Sequence, residues 1–307
     1  MNKFFWSAFA LLLCLLGTFL SCSGEKKVAA STIAPTDAEV FNPDMRFASL
    51  DSLVDYMMEE FSSKTVDEFV NRYEQQAVAV KSYGFLNHKG EDTNRWDEVV
   101  FRDLQALADS LSGGSTFDMV MSSRIERGMS HYLSAKDYCE KYSENPLYQA
   151  EMRDWLALED ELGSFYVNLA YLANWGGTIA HVTSSGSLAY MAEERQKDYC
   201  QLKKDGHFAN SESLTIAEAR ADFIQELADA KSLDSAMDDE MYDEMYDGEG
   251  YRETLKEMCE HADRVTILLD KWLASRAQLC KAEGVPDSHT AHLIAVLGTR
   301  IMELIEG

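Results

Sequence analysis

Four prolines in 307 residues leave this chain almost nothing to break a helix with. Proline removes a backbone donor and clashes with the preceding turn, so its scarcity permits long helices. Ala, Leu, Met and Glu are plentiful, and these residues favour helix. From about residue 49 onward the apolar residues recur with a period near 3.6. An all-α, multi-helix bundle is therefore predicted. Residues 65–68 (TVDE) read as a capping box, opening a helix with Val66, Phe69, Val70, Tyr73 and Ala77 on one face and an end near Gly84. Further helices are predicted from about Trp96 to Leu111 and from Phe117 to Lys141. Asn145-Pro146 opens one carrying Trp155, which Trp175 to Gly177 breaks. Helices over 183–204, 215–231, 251–283 and 287–305 follow.

The first 24 residues say where such a bundle would live. Lys3 precedes an uncharged apolar run of roughly 17 residues, and Ser21 then stands directly before Cys22. Basic start, apolar core and small residue make a secretory signal, and the cysteine at the cut makes it a lipoprotein signal resembling a bacterial lipobox. Cys22 is the predicted lipidation site and first residue of the mature chain. A single transmembrane helix is the rival reading, but the run is short for a bilayer span. The predicted location is the bacterial cell envelope, periplasmic or surface-exposed, with the lipid as the membrane contact.

The organisation expected is a signal peptide over 1–21, a tether over 22–48 and an N-terminal helical region over 49–134. A first helical unit over 135–233, an acidic linker over 234–250 and a second helical unit over 251–307 complete it. The linker interleaves Asp and Glu with Met and Tyr. A calcium loop is the sharp reading of that run, but Met245 occupies a ligand position and Thr254 stands where a bidentate Glu is needed.

Removing residues 1–21 takes away Lys3 alone, leaving 27 basic against 53 acidic residues, a formal net of −26. Such a field repels nucleic acid and anionic lipid and draws in basic proteins. Four cysteines remain after Cys14 leaves and Cys22 is acylated: Cys139, Cys200, Cys259 and Cys280. They allow three connectivities. Cys259 and Cys280 on one uninterrupted helix would sit about 31 Å apart, far beyond the roughly 7 Å a bridge allows. The other pairings and four free thiols stay open.

Two segments of the chain are alike. Trp155-Leu156 is followed by Leu188 and Arg195, and Trp272-Leu273 by Arg276, Leu293 and Arg300. In each, a Leu precedes the final Arg by two helical turns, so each Arg lies on an apolar stripe. A guanidinium there needs partners, and Glu159 is the expected one for Arg195. The pattern W-L-x-x-R, a glycine-containing loop, then L-x(6)-R resembles the LprI-like lysozyme inhibitor family of small, helical, secreted or lipid-anchored bacterial proteins. The second unit carries it in Trp272, Leu273, Arg276, Cys280, Leu293 and Arg300. The first carries it in Trp155, Leu156, the loop Gly176 to Ile179, and Arg195. Glu159 stands where the first unit should have the counterpart of Arg276, and the family's paired cysteines are not reproduced around Cys280. The resemblance spans residues 135–205 and 251–307. It implies two related helix-turn-helix units in an envelope protein that binds lysozyme-like glycosidases, with Trp155, Arg195, Trp272, Arg276 and Arg300 as recognition or structural residues.

No catalytic constellation assembles from sequence. The histidines (88, 131, 181, 207, 261, 289 and 292) are scattered. His289 with His292, and Glu257 with His261, share helical faces without the H-E-x-x-H zinc pattern and read as solvated faces. Gly113 to Thr116 read as a helix cap, since no Lys completes a phosphate site. The expectation is a non-enzymatic binding protein without cofactor or metal, possessing affinity for a basic protein such as lysozyme. A non-inhibitory envelope scaffold is the alternative, and an uncharacterised hydrolase the third.

Overall fold

The computed structural model describes residues 47–58, 64–91, 93–174, 176–201, 214–233 and 248–306. The signal sequence, Cys22, residues 22–46 of the tether and residues 234–247 of the acidic run lie outside them. All described residues belong to one compact unit, Pro43–Gly307. Every regular element among them is helical: α1 (Leu50–Met58), α2 (Val66–Asn87), a 3₁₀ turn (Thr93–Arg95), α3 (Trp96–Leu111), α4 (Thr116–Lys141), α5 (Pro146–Ala173), α6 (Gly177–Gln201), α7 (Ile216–Lys231), α8 (Gly248–Glu283) and α9 (Asp287–Glu306).

The caps explain where several of these helices start. Thr65 with Glu68, Ser115 with Asp118 and Thr215 with Glu218 each form a reciprocal capping box. At α4 the Asp118 carboxylate takes the Ser115 backbone N–H, so the glycine-rich turn before it is a helix start already filled by its own chain. Asn145 caps α5, with Pro146 in the first turn where its missing N–H costs nothing. Gly284 ends α8 with φ +69°, and Val285 N–H returns to the Cys280 carbonyl, closing a Schellman turn.

Two predicted boundaries move. α2 does not stop at Gly84 but continues to Asn87. Gly84 is there because Trp96 lies on it: a Cβ at this position would come within 2.5 Å of Trp96 Cε3. α6 starts at Gly177 rather than 183, where Gly176 and Gly177, at φ +71° and +73°, make the turn.

Leu53, Met57, Val80, Val100, Leu104 and Ile125 form a core among α1 to α4. A larger one joins α5 to α9 through Trp155, Phe165, Tyr166, Phe223, Trp272 and Leu297. An aromatic-rich third cluster, with Phe69, Tyr138, Tyr148 and Tyr199, lies between them. α5 packs antiparallel on α8, with Glu151 against Arg276 and Glu161 against His261, while α6 packs on α4 and α9 on α7. The line expected between residues 134 and 135 falls inside α4. Ile125 and Tyr132 of that helix serve the first core, and Ala135 and Tyr138 serve the aromatic cluster. The units over 135–233 and 251–307 likewise share one core. Their two hairpins also pack differently, since α5 lies broadly along α6 whereas α8 meets α9 near their turn.

Candidate functional site

α5 presents Tyr148, Met152 and Trp155 on its buried face, and Glu151 stands among them with no exposure. A lone carboxylate there would be costly, and two helices answer it. Arg195 of α6 grips it through both ends, Nη1 to Oε1 at 2.9 Å and Nη2 to Oε2 at 2.6 Å. Trp272 Nε1–H of α8 donates to Oε1 at 2.7 Å, and Arg276 Nη1 approaches the same oxygen at 3.3 Å. The second carboxylate is Asp198, one turn after Arg195. It accepts from Arg195 Nη1 at 2.8 Å and from Arg276 Nη2. His289 of α9 closes the ring, its Nδ1 lying 3.1 Å from Asp198 Oδ1 and 3.2 Å from Arg276 Nη2. Arg276 Nε reaches Thr290 Oγ1 at 3.4 Å, and Cys280 Sγ lies 3.5 Å from that hydroxyl.

Two guanidinium groups thus face two carboxylates, so the cluster balances its formal charge without solvent. Burial alone would push Asp198 up, yet Arg276, the hydrogen bond from His289 and Arg195 outweigh it and hold the carboxyl well below its usual range. Burial would weaken both arginines, but Glu151 for Arg195, and Asp198 for Arg276, keep them firmly protonated. Aromatic faces complete the enclosure. The Arg195 guanidinium lies 4.6 Å from the Trp155 ring centre and 4.3 Å from that of Tyr199. Trp155 meets Trp272 edge to face at 5.4 Å. Tyr142 stacks between Tyr148 and Tyr199 at 4.1 and 5.7 Å.

Four of the five residues singled out by sequence, Trp155, Arg195, Trp272 and Arg276, therefore meet in one buried cluster. Arg300 does not join them. It ties α9 to α6 through Ser187 Oγ at 2.9 Å, pairs with Glu303 at 2.9 Å and remains partly exposed. The expected Glu159–Arg195 pair is not made. Glu159 instead accepts from Trp155 Nε1–H at 3.0 Å, because Glu151 and Asp198 already hold the ends of Arg195. His289 is fully buried, contrary to the solvated face expected for it. His261 sits beside Glu161 at 2.5 Å rather than on an open face with Glu257. The sequence reading missed Glu151 and Asp198, although Tyr199 falls on the same apolar stripe as Arg195. The spacing of Arg195 to Asp198, three residues on one helix, was the available signal.

No family model, curated protein or solved structure matches the chain. The likeness to the LprI-like family thus rests on the motif residues themselves.

Among the described residues no group of three or more His, Cys, Asp and Glu side chains could hold a metal ion. No helix among them is long and apolar enough to cross a membrane. Cys139 and Cys280 are free thiols, and α8 is continuous from Gly248 to Glu283, so Cys259 and Cys280 stand apart along one rod. What the cluster does chemically is hold α5, α6, α8 and α9 in register, since both carboxylates and the Nη nitrogens of both arginines are engaged by other members of the same group.

Proposed function

We propose that this chain is a lipid-anchored protein of the bacterial cell envelope, anchored through Cys22, that binds a basic protein partner and inhibits a lysozyme-type glycosidase without catalysing a reaction. The observation that carries the reading is the burial of Trp155, Arg195, Trp272 and Arg276 in one charge-balanced lock. In this reading the motif shared with the LprI-like family is scaffold, and recognition belongs to the acidic exterior. A formal net of −26 on the mature chain speeds encounter with a cationic enzyme, an effect that salt screens.

The test is a pull-down and a turnover assay with a purified basic lysozyme and the mature protein at low and high salt. Binding that weakens with salt, together with slower cell-wall hydrolysis, supports the reading. An absence of salt-sensitive binding removes the inhibitor function. Binding without inhibition transfers support to an envelope scaffold, which the same burial of the motif residues also favours.

A further inference from the structure

Beside the charged lock, a narrow crevice opens where α4, α5 and α6 converge, walled on its apolar sides by Phe69, Met152 and Trp155. Three buried polar atoms belonging to residues on its wall have no hydrogen-bond partner within the protein: Ser134 Oγ of α4, Glu159 Oε1 of α5 and Arg195 Nε of α6. Arg195 has five N–H donors. The nitrogens at its outer ends serve Glu151, Asp198 and Tyr199, and the Nε–H is left over. Glu159 Oε2 accepts from Trp155 Nε1–H, and its Oε1 lies 3.4 Å from His131 Nε2 without forming a hydrogen bond.

We propose that this crevice is a binding site for a single structural water that bridges Arg195 to Glu159. The bridging molecule accepts from Arg195 Nε–H, donates to Glu159 Oε1 and exchanges a bond with Ser134 Oγ. Size and charge select it. The crevice leaves about 10 Å³ for the centre of a water-sized sphere, close to the smallest room a buried water needs. An anion drawn to Arg195 meets Glu159, and a cation drawn to Glu159 meets Arg195. A neutral molecule with both donors and acceptors satisfies both. The Glu159–Arg195 association suggested by the sequence is then made through solvent, uniting three helices from three directions. The inference is independent of any lysozyme partner.

A high-resolution crystal structure of the mature protein, with water-to-amide cross-relaxation measured at the Arg195 Nε–H, tests it. The expected result is a density peak within about 2.7–3.2 Å of Arg195 Nε and Glu159 Oε1, and a cross-peak between that N–H and water. An Nε–H bonded instead to a protein acceptor, with no water cross-peak, overturns the proposal; so does a peak whose scattering identifies an adventitious ion only. Ser134→Thr adds a methyl group into the space and should abolish the cross-peak while the far-UV spectrum is retained. A cross-peak unchanged in Ser134→Thr also overturns it. If that variant does not fold, Ser134→Ala removes one of three contacts and should shorten the water's residence. An unaltered residence time there counts against the site.

Discussion

Arg276 is in contact with both carboxylates of the lock and has no exposed surface, so it has no solvent to fall back on. Arg276→Met should therefore cost about 3–5 kcal/mol in urea unfolding, because Glu151 and Asp198 would keep a single guanidinium between them. Arg300 has the same place in the sequence pattern as Arg195, yet it reaches Glu303 at the surface. Arg300→Met should cost only about 1 kcal/mol. Equal losses in the two variants would refute the distinction between locked and peripheral arginine. His131 gives a pH signature. Burial lowers its pKa to about 4, with Glu159 opposing and Arg127 and Arg72 assisting. The unfolded chain consequently binds more protons between pH about 6.5 and about 4, and stability falls as pH drops through that window. His131→Gln should flatten this part of a pH–stability curve. These residues were unevenly legible: tryptophans and arginines on apolar stripes stand out in a sequence. Glu151 does not, because one acid among 53 acquires its meaning only when helices far apart in sequence converge on it.

Helix positions were the most readable level, since capping boxes and glycine turns are local in sequence. The end of α2 was misread because Gly84 serves a contact with Trp96, twelve residues later, rather than a helix terminus. Gly84→Ala should accordingly lower stability by about 1–3 kcal/mol, despite alanine's better helix propensity, since the indole must shift. A gain in melting temperature would show that the contact yields easily. α7 carries a second sensitive position. Burial, followed by the nearby charges of Asp222 and Asp229, pushes the Glu226 carboxyl up to about 7, and its Oε2 rests against Gly298 of α9 without a hydrogen bond. Its folded state holds the proton more tightly, so the contribution to stability is complete below pH about 4.5 and is lost as pH rises through about 7. Glu226→Gln should raise the melting temperature at pH 8 and alter it little at pH 5.

The partition into an N-terminal region and two repeated units was legible as sequence but not as packing. Periodicity reports which face of a helix is buried and not which helix covers it, and here α4 covers α6 while α8 covers α5. Charge operates across the entire chain as well. With 53 acidic residues against 28 basic ones, self-repulsion opposes compaction. Moderate salt should raise the melting temperature, and a fall would mean that surface ion pairs such as Arg220–Asp270 outweigh the repulsion. The span of the lock in sequence has a bearing on biosynthesis. Glu151 and Arg276 are 125 residues apart, so a ribosome must add all of the chain between them before the first carboxylate can meet its second guanidinium. Arg195 can meet Glu151 and Asp198 earlier, but the lock closes only once α8 exists, and a message truncated shortly before codon 276 would yield a product with an unmatched acid at its heart.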